Sequence, residues 1–161
     1  MGLDMYLQAR AYVSNYNFEI ERNGENETFH KVLDIFPQVK SLCNDDSTPS
    51  FDITFNVAYW RKANAIHAWF VKECGGGIDE CQPIYVPREK LVELLELCKQ
   101  VVKQPAMASS TLPSQSGFFF GSTEYDDWYM EDIKRTVKVL TKVLKEVPDT
   151  TRWSFIYQAS W

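Results

Sequence analysis

The chain has 161 residues, 45% of them hydrophobic, with 17 Lys plus Arg against 22 Asp plus Glu and a formal charge of −5. This is the arithmetic of a single soluble domain over residues 1–161, and an acidic molecule repels the phosphate backbone, which excludes bulk nucleic-acid binding. No run approaches the roughly 20 apolar residues that cross a bilayer, and no basic region followed by an apolar one opens the chain, so no membrane partner and a cytoplasmic location are expected.

Residues 3–13 alternate strictly, with Leu3, Met5, Leu7, Ala9, Ala11 and Val13 on one side and Asp4, Tyr6, Gln8, Arg10 and Tyr12 on the other. Period two predicts a half-buried strand. Residues 18–22 lead into Asn23-Gly24, a dipeptide suited to a tight hairpin turn, so residues 27–32 are expected to return as a partner strand. Residues 40–50, rich in Asn, Asp, Ser and Thr with Pro49, read as a loop. A second alternating run puts Phe51, Ile53, Phe55, Val57 and Tyr59 on one face and Asp52, Thr54, Asn56, Ala58 and Trp60 on the other.

Three helices follow from the 3.6-residue period. The first is expected over residues 61–74, with Ala63, Ile66, Phe70 and Cys74 on one stripe and Gly75-Gly76-Gly77 as its stop. The second begins at Pro87, which the first turn tolerates, and carries Leu91, Leu94, Leu95, Cys98, Val101 and Val102. The third is expected to start at Ser122 or Thr123 and to carry Met130, Ile133, Val137, Leu140, Leu144 and Val147. Residues 104–121 form a long connection of little periodicity that ends in Gly117-Phe118-Phe119-Phe120-Gly121. Three adjacent phenylalanines cannot all face one core, so at least one is expected to serve an interface. The aromatic run at residues 153–161 alternates again and predicts a last strand. Strands at both ends and helices in the middle define an α+β fold, an antiparallel or mixed sheet packed on one face by about three helices.

The opening Met-Gly-Leu-Asp-Met-Tyr-Leu, the block Tyr59-Trp60-Arg61-Lys62-Ala63-Asn64-Ala65-Ile66-His67 and residues 116–129 together resemble a family of small uncharacterised proteins of bacteriophages and prophages. The resemblance extends to the aromatic C-terminus and leaves out residues 14–50, which read as a variable insertion of hairpin plus loop. It implies a viral setting inside a host cell and carries no activity with it.

The residues singled out for ligand binding are Asp4, Tyr6, Arg10, Trp60, Asn64, His67, Tyr125 and Trp128. Arg10 offers a planar cationic fork for a carboxylate or phosphate, and the aromatic rings offer stacking surfaces. If the first helix reaches back to Trp60, then Trp60, Asn64 and His67 fall within about 60° of one another on its surface. Phe118, Phe119 and Phe120 are the interface candidates. For an enzyme, His67 with Glu124 and Asp126 would transfer protons, although a packed histidine and a capping aspartate account for the same residues.

No phosphate loop, GxSxG elbow or HExxH helix is present. His67, Cys74 and Cys81 lack the close spacing of zinc ligands, so neither metal nor cofactor is expected, and the four cysteines are expected to be reduced. The expected function is that of a phage-type binding protein acting on its host, either blocking a host protein or sequestering a nucleotide-like anionic small molecule. The alternative is a small hydrolase or transferase on a phosphorylated or nucleotide substrate. Homo-oligomer formation is left open.

Overall fold

The alternation of residues 3–13 forms strand β1 (Asp4–Ser14) in the computed structural model, which describes residues 2–14, 26–40 and 50–161. Leu3, Met5, Leu7, Ala9, Ala11 and Val13 are all buried. Strand β1 lies second in a four-stranded antiparallel sheet of order β2-β1-β4-β3, with β2 at Ser50–Arg61, β3 at Ile84–Val86 and β4 at Trp153–Ser160. The C-terminal aromatic run is thus an interior strand, with Phe155, Tyr157 and Ala159 on the buried face. The short edge strand β3 pairs with it antiparallel, Tyr85 opposite Ile156. Three residues give too little periodicity for sequence to mark this strand.

Strand β2 corrects the expected pairing of faces. Phe51 and Ile53 pack inward as expected, but Val57 and Ala58, successive residues, both lie against the core. The alternation therefore slips by one residue, which sends Tyr59 to the open face and Trp60 to the fully buried one. A single slip of this kind exchanges every later side chain between faces. Trp60 is the larger gain, since its Nε1–H finds the Thr136 hydroxyl at 2.9 Å.

Helices α3 (Asn64–Glu73), α4 (Arg88–Lys103) and α6 (Asp127–Glu146) pack on the inward face of the sheet and share one core with it. Helix α3 starts three residues later than the period suggests, because Arg61 still belongs to β2 and Lys62 turns the chain at φ +60. Trp60 is therefore a strand residue and shares no helical face with Asn64 and His67. The helix ends at the glycine run, where Gly76 and Gly77 take positive φ. In α4, Leu91, Leu94, Leu95, Cys98 and Val101 are buried, whereas Val102 is exposed. Helix α6 begins four to five residues after the expected start, with Asp126 as its cap. Its far end is held by Arg88, whose guanidinium donates to the carbonyls of Leu144 and Val147. The 104–121 connection contains a 3-10 turn (Pro105–Met107) and one helical turn, α5 (Ala108–Thr111).

The chain divides into two compact units, Arg10–Thr54 and the remainder. Within the smaller, residues 27–32 are not a return strand: α1 (Glu27–Ile35) runs there, followed by one turn, α2 (Pro37–Lys40). Asn26 accepts the amides of Thr28 and Phe29, and Phe29 and Leu33, one turn apart, are buried with Val13. The cap and the i,i+4 apolar pair outweigh the weaker hint of strand. Asn23-Gly24 and most of the expected 40–50 loop lie outside the described residues.

Candidate functional site

The turn between β2 and α3 is built from three distant parts of the chain. Lys62 donates its amide to Leu3 O at 2.8 Å, and Leu3 donates to Phe119 O at 3.2 Å. Asn64, buried in the first turn of α3, donates through Nδ2 to Phe120 O (3.1 Å) and Ser122 O (2.8 Å) and accepts from the Gln115 amide (3.1 Å). One side chain thereby pins the 115–122 segment to the helix start. Lys62 holds a left-handed conformation that costs a non-glycine residue free energy, and such strain clusters where function demands it. Gly121, at φ +86, lies against it: an added Cβ would come within 3.4 Å of the Lys62 side chain.

Beside this turn lies a cavity of about 450 Å³, within the range of small-molecule sites. Ala63, Ile66 and Ile133 supply apolar lining. On one side stand Arg61, Lys62 and the first residues of α3, whose N-terminus has no side-chain cap. The Asn64 amide is taken by Lys62 O at 2.8 Å, and the Ala65 and Ile66 amides with the helix dipole favour an anion there. On the other side α6 presents Trp128, Asp132 and Arg135. Burial pushes the Asp132 carboxyl up to about 6, with Arg135 pulling it down and Glu131 and Asp126 adding to the rise.

Of the residues singled out from sequence, Asn64, Glu124, Asp126 and Trp128 line this cavity. Asp126 caps α6 by accepting from the Tyr129 amide, and Trp128 is 77% exposed. Tyr125 stacks edge-on against Tyr129 and its hydroxyl accepts from the Ser114 amide. Asp4 and Tyr6 lie elsewhere, on the open face of the sheet, where Tyr59 donates to Asp4 and its ring sits 5.3 Å from that of Tyr6. The Asp4 bond holds the Tyr59 phenol above its usual pKa. Arg10 belongs to the smaller unit, with its Nε buried and without a hydrogen-bond partner among the described residues. Trp60 is core. Phe120 is buried, Phe119 is half-buried against the core and Phe118 is 95% exposed.

His67 does not reach the cavity wall. It is 1% exposed, with Nδ1 2.7 Å from the Tyr157 hydroxyl and Nε2 3.0 Å from Asp79 Oδ2. A carboxylate facing Nε2 assigns the proton to that nitrogen, so Tyr157 donates to Nδ1 and Nε2–H donates to Asp79. Burial, with Asp79 and Cys81 adding to it, holds the Tyr157 phenol well above its usual pKa. Phe120 closes over the imidazole edge at 5.0 Å between centroids. Both ring nitrogens being engaged, His67 has none to offer a metal with Cys74 and Cys81. The Cys74 and Cys98 thiols are pushed up by burial to about 11 and about 12, which makes them poor nucleophiles.

Arg61, Lys62, Glu131, Asp132 and Arg135 are the charged cavity residues that the sequence does not single out. The signal for two of them was the spacing Trp128, Asp132, Arg135, which places all three along one side of α6. Comparison with known protein families, curated proteins and solved structures gives no match for this chain. Among the described residues no helix is long and apolar enough to cross a membrane.

Proposed function

We propose that the protein binds a nucleotide-like anionic small molecule in the cavity between the start of α3 and α6, and holds it chemically unchanged. The observation that carries this reading is the opposition of two walls. Arg61, Lys62 and the first turn of α3 suit a phosphate, while the start of α6 lines the cavity with Trp128 and the carboxylates of Asp126, Glu131 and Asp132, which suit a planar base with N–H donors. The bacteriophage resemblance supplies the setting, a protein that withholds such a molecule from its host. Phe118, 95% exposed, is the anchor through which the same protein would instead block a host partner. The enzymatic reading draws on the Asp132 carboxyl, whose pKa of about 6 suits proton transfer near neutrality.

Calorimetric titration with purine nucleoside monophosphates tests the reading. Binding should weaken with added salt and fall about tenfold or more in Lys62→Ala and Arg135→Ala, since a charge-assisted contact contributes about 1.5–3 kcal/mol. Absence of binding by folded wild type, or equal binding by both variants, would overturn it. Recovery of a cleaved or transferred product on denaturation would decide for the enzyme.

A further inference from the structure

We propose that Asp132 is the specificity-determining residue of the cavity, selecting a base that presents two adjacent N–H donors, as guanine does, over one that presents a donor beside an acceptor, as adenine does. The inference rests on the nucleotide reading of the same cavity.

Trp128, Asp132 and Arg135 are spaced four and three residues apart on α6, so they follow one another along a single side of the helix, and all three line the cavity. The Asp132 side chain is half-buried there and makes no hydrogen bond or ion pair among the described residues. Its oxygens are not sealed from solvent, and Arg135 is the cation that acts on them, so they stand open to the donors of a ligand in the cavity. Its backbone is fixed: the Asp132 carbonyl accepts from the Thr136 hydroxyl at 2.7 Å, and that hydroxyl accepts in turn from the buried Trp60 indole. The acceptor is therefore presented from a rigid element, one helical turn beyond an aromatic ring.

An ionised carboxylate accepts and never donates. A base stacked on Trp128 turns its hydrogen-bonding edge toward Asp132. Guanine meets the two oxygens with N1–H and an amino N–H side by side, the same parallel fork by which a guanidinium meets a carboxylate. Hypoxanthine offers N1–H alone. Adenine brings an unprotonated N1 against the carboxylate, two acceptors facing one another, and a site built for donors discriminates strongly against a partner that lacks them.

The test is calorimetry of the intact protein with guanosine, inosine and adenosine 5′-monophosphates at pH 7.5, on wild type, Asp132→Asn and Asp132→Ala, each checked for fold by circular dichroism. Wild type should prefer guanosine over adenosine monophosphate by about tenfold or more, with inosine between. Both variants should bring the three ligands to within about threefold while still binding them through Arg61 and Lys62. Equal affinities in wild type, or an unchanged order in either folded variant, overturn the assignment and leave the cavity reading intact. Failure of wild type to bind any of the three overturns both. A second measurement needs no variant: lowering the pH to 5 protonates Asp132, flanked by Arg135, Glu131 and Asp126 and facing Arg61 and Lys62, and the guanosine preference should shrink. A preference that persists unchanged at pH 5 overturns the assignment as well.

Discussion

His67 and Asp132 are both ionisable residues on helices flanking the same turn, and their surroundings are opposite. Every polar atom of His67 is answered, by Tyr157 on one side and Asp79 on the other. The Asp132 carboxyl is half-buried at the cavity, makes no hydrogen bond among the described residues, and feels the attraction of Arg135. A buried polar group that has its partners contributes to a unique core, whereas one without them costs stability and has to be justified by something else. The comparison separates two roles within one core: His67, which the sequence offers both as a packed histidine and as a proton-transfer group, is tied into a buried hydrogen-bond chain, and Asp132, which the sequence passes over, is the residue that the proposed ligand would meet.

The sharpest way to break the comparison is to remove the histidine. His67→Ala should cost about 3–5 kcal/mol, because it leaves a cavity and strands both a buried phenol and a partly buried carboxylate. Tyr157→Phe removes one hydroxyl and leaves Nδ1 unpaired, so about 1–3 kcal/mol is expected. Urea denaturation measures both. A His67→Ala protein as stable as wild type would make the chain incidental and reopen a functional role for the histidine.

Asn64 sits between the two regions, since it belongs to the core by burial and to the cavity by position. Asn64→Ala breaks three hydrogen bonds to residues 115, 120 and 122 and should cost about 2–3 kcal/mol. Because the tie holds the segment that leads into α6, nucleotide affinity should fall with it. Hydrogen exchange of the 115–122 amides would rise relative to wild type. Stability lost without any change in exchange there would show that the segment is held by Phe120 instead.

How much of this was legible in the sequence follows from the range of the interactions. The alternation of β1 and β4 and the stripe of α4 were readable because each repeats one environment over many residues. The slip in β2 was not, because it depends on Trp60 reaching Thr136, 76 residues away. The helix α1 was lost to an Asn-Gly signal that precedes it, although Asn26 and the Phe29–Leu33 spacing were there to be read. In the cavity, the residue types were visible and the assignment was not. Asn64, Glu124, Asp126 and Trp128 were picked out, but His67 and Trp60 were placed with them because a helix reaching back to Trp60 was assumed. Lys62 turns the chain before that can happen.

The smallest expected effect has the opposite sign from the others. Asp132 has a folded-state pKa raised to about 6 from 3.8, so between these values the native state binds a proton that the unfolded chain has already released. The unfolded state then carries fewer protons, and stability falls as pH rises through the window from about 4 to about 6. Above it the full penalty of an ionised, half-buried carboxylate is present. Asp132→Asn should therefore stabilise the protein at pH 8 by on the order of 1–2 kcal/mol, discounted for partial exposure and for the loss of attraction to Arg135. The gain should vanish below about pH 4, where both proteins present a neutral group. Thermal melts of the two proteins at pH 4, 6 and 8 measure it. A variant that gains stability while it loses its preference among nucleotides is what an acceptor kept for a ligand requires, whereas a variant destabilised at pH 8 would mean that Asp132 is held for the fold.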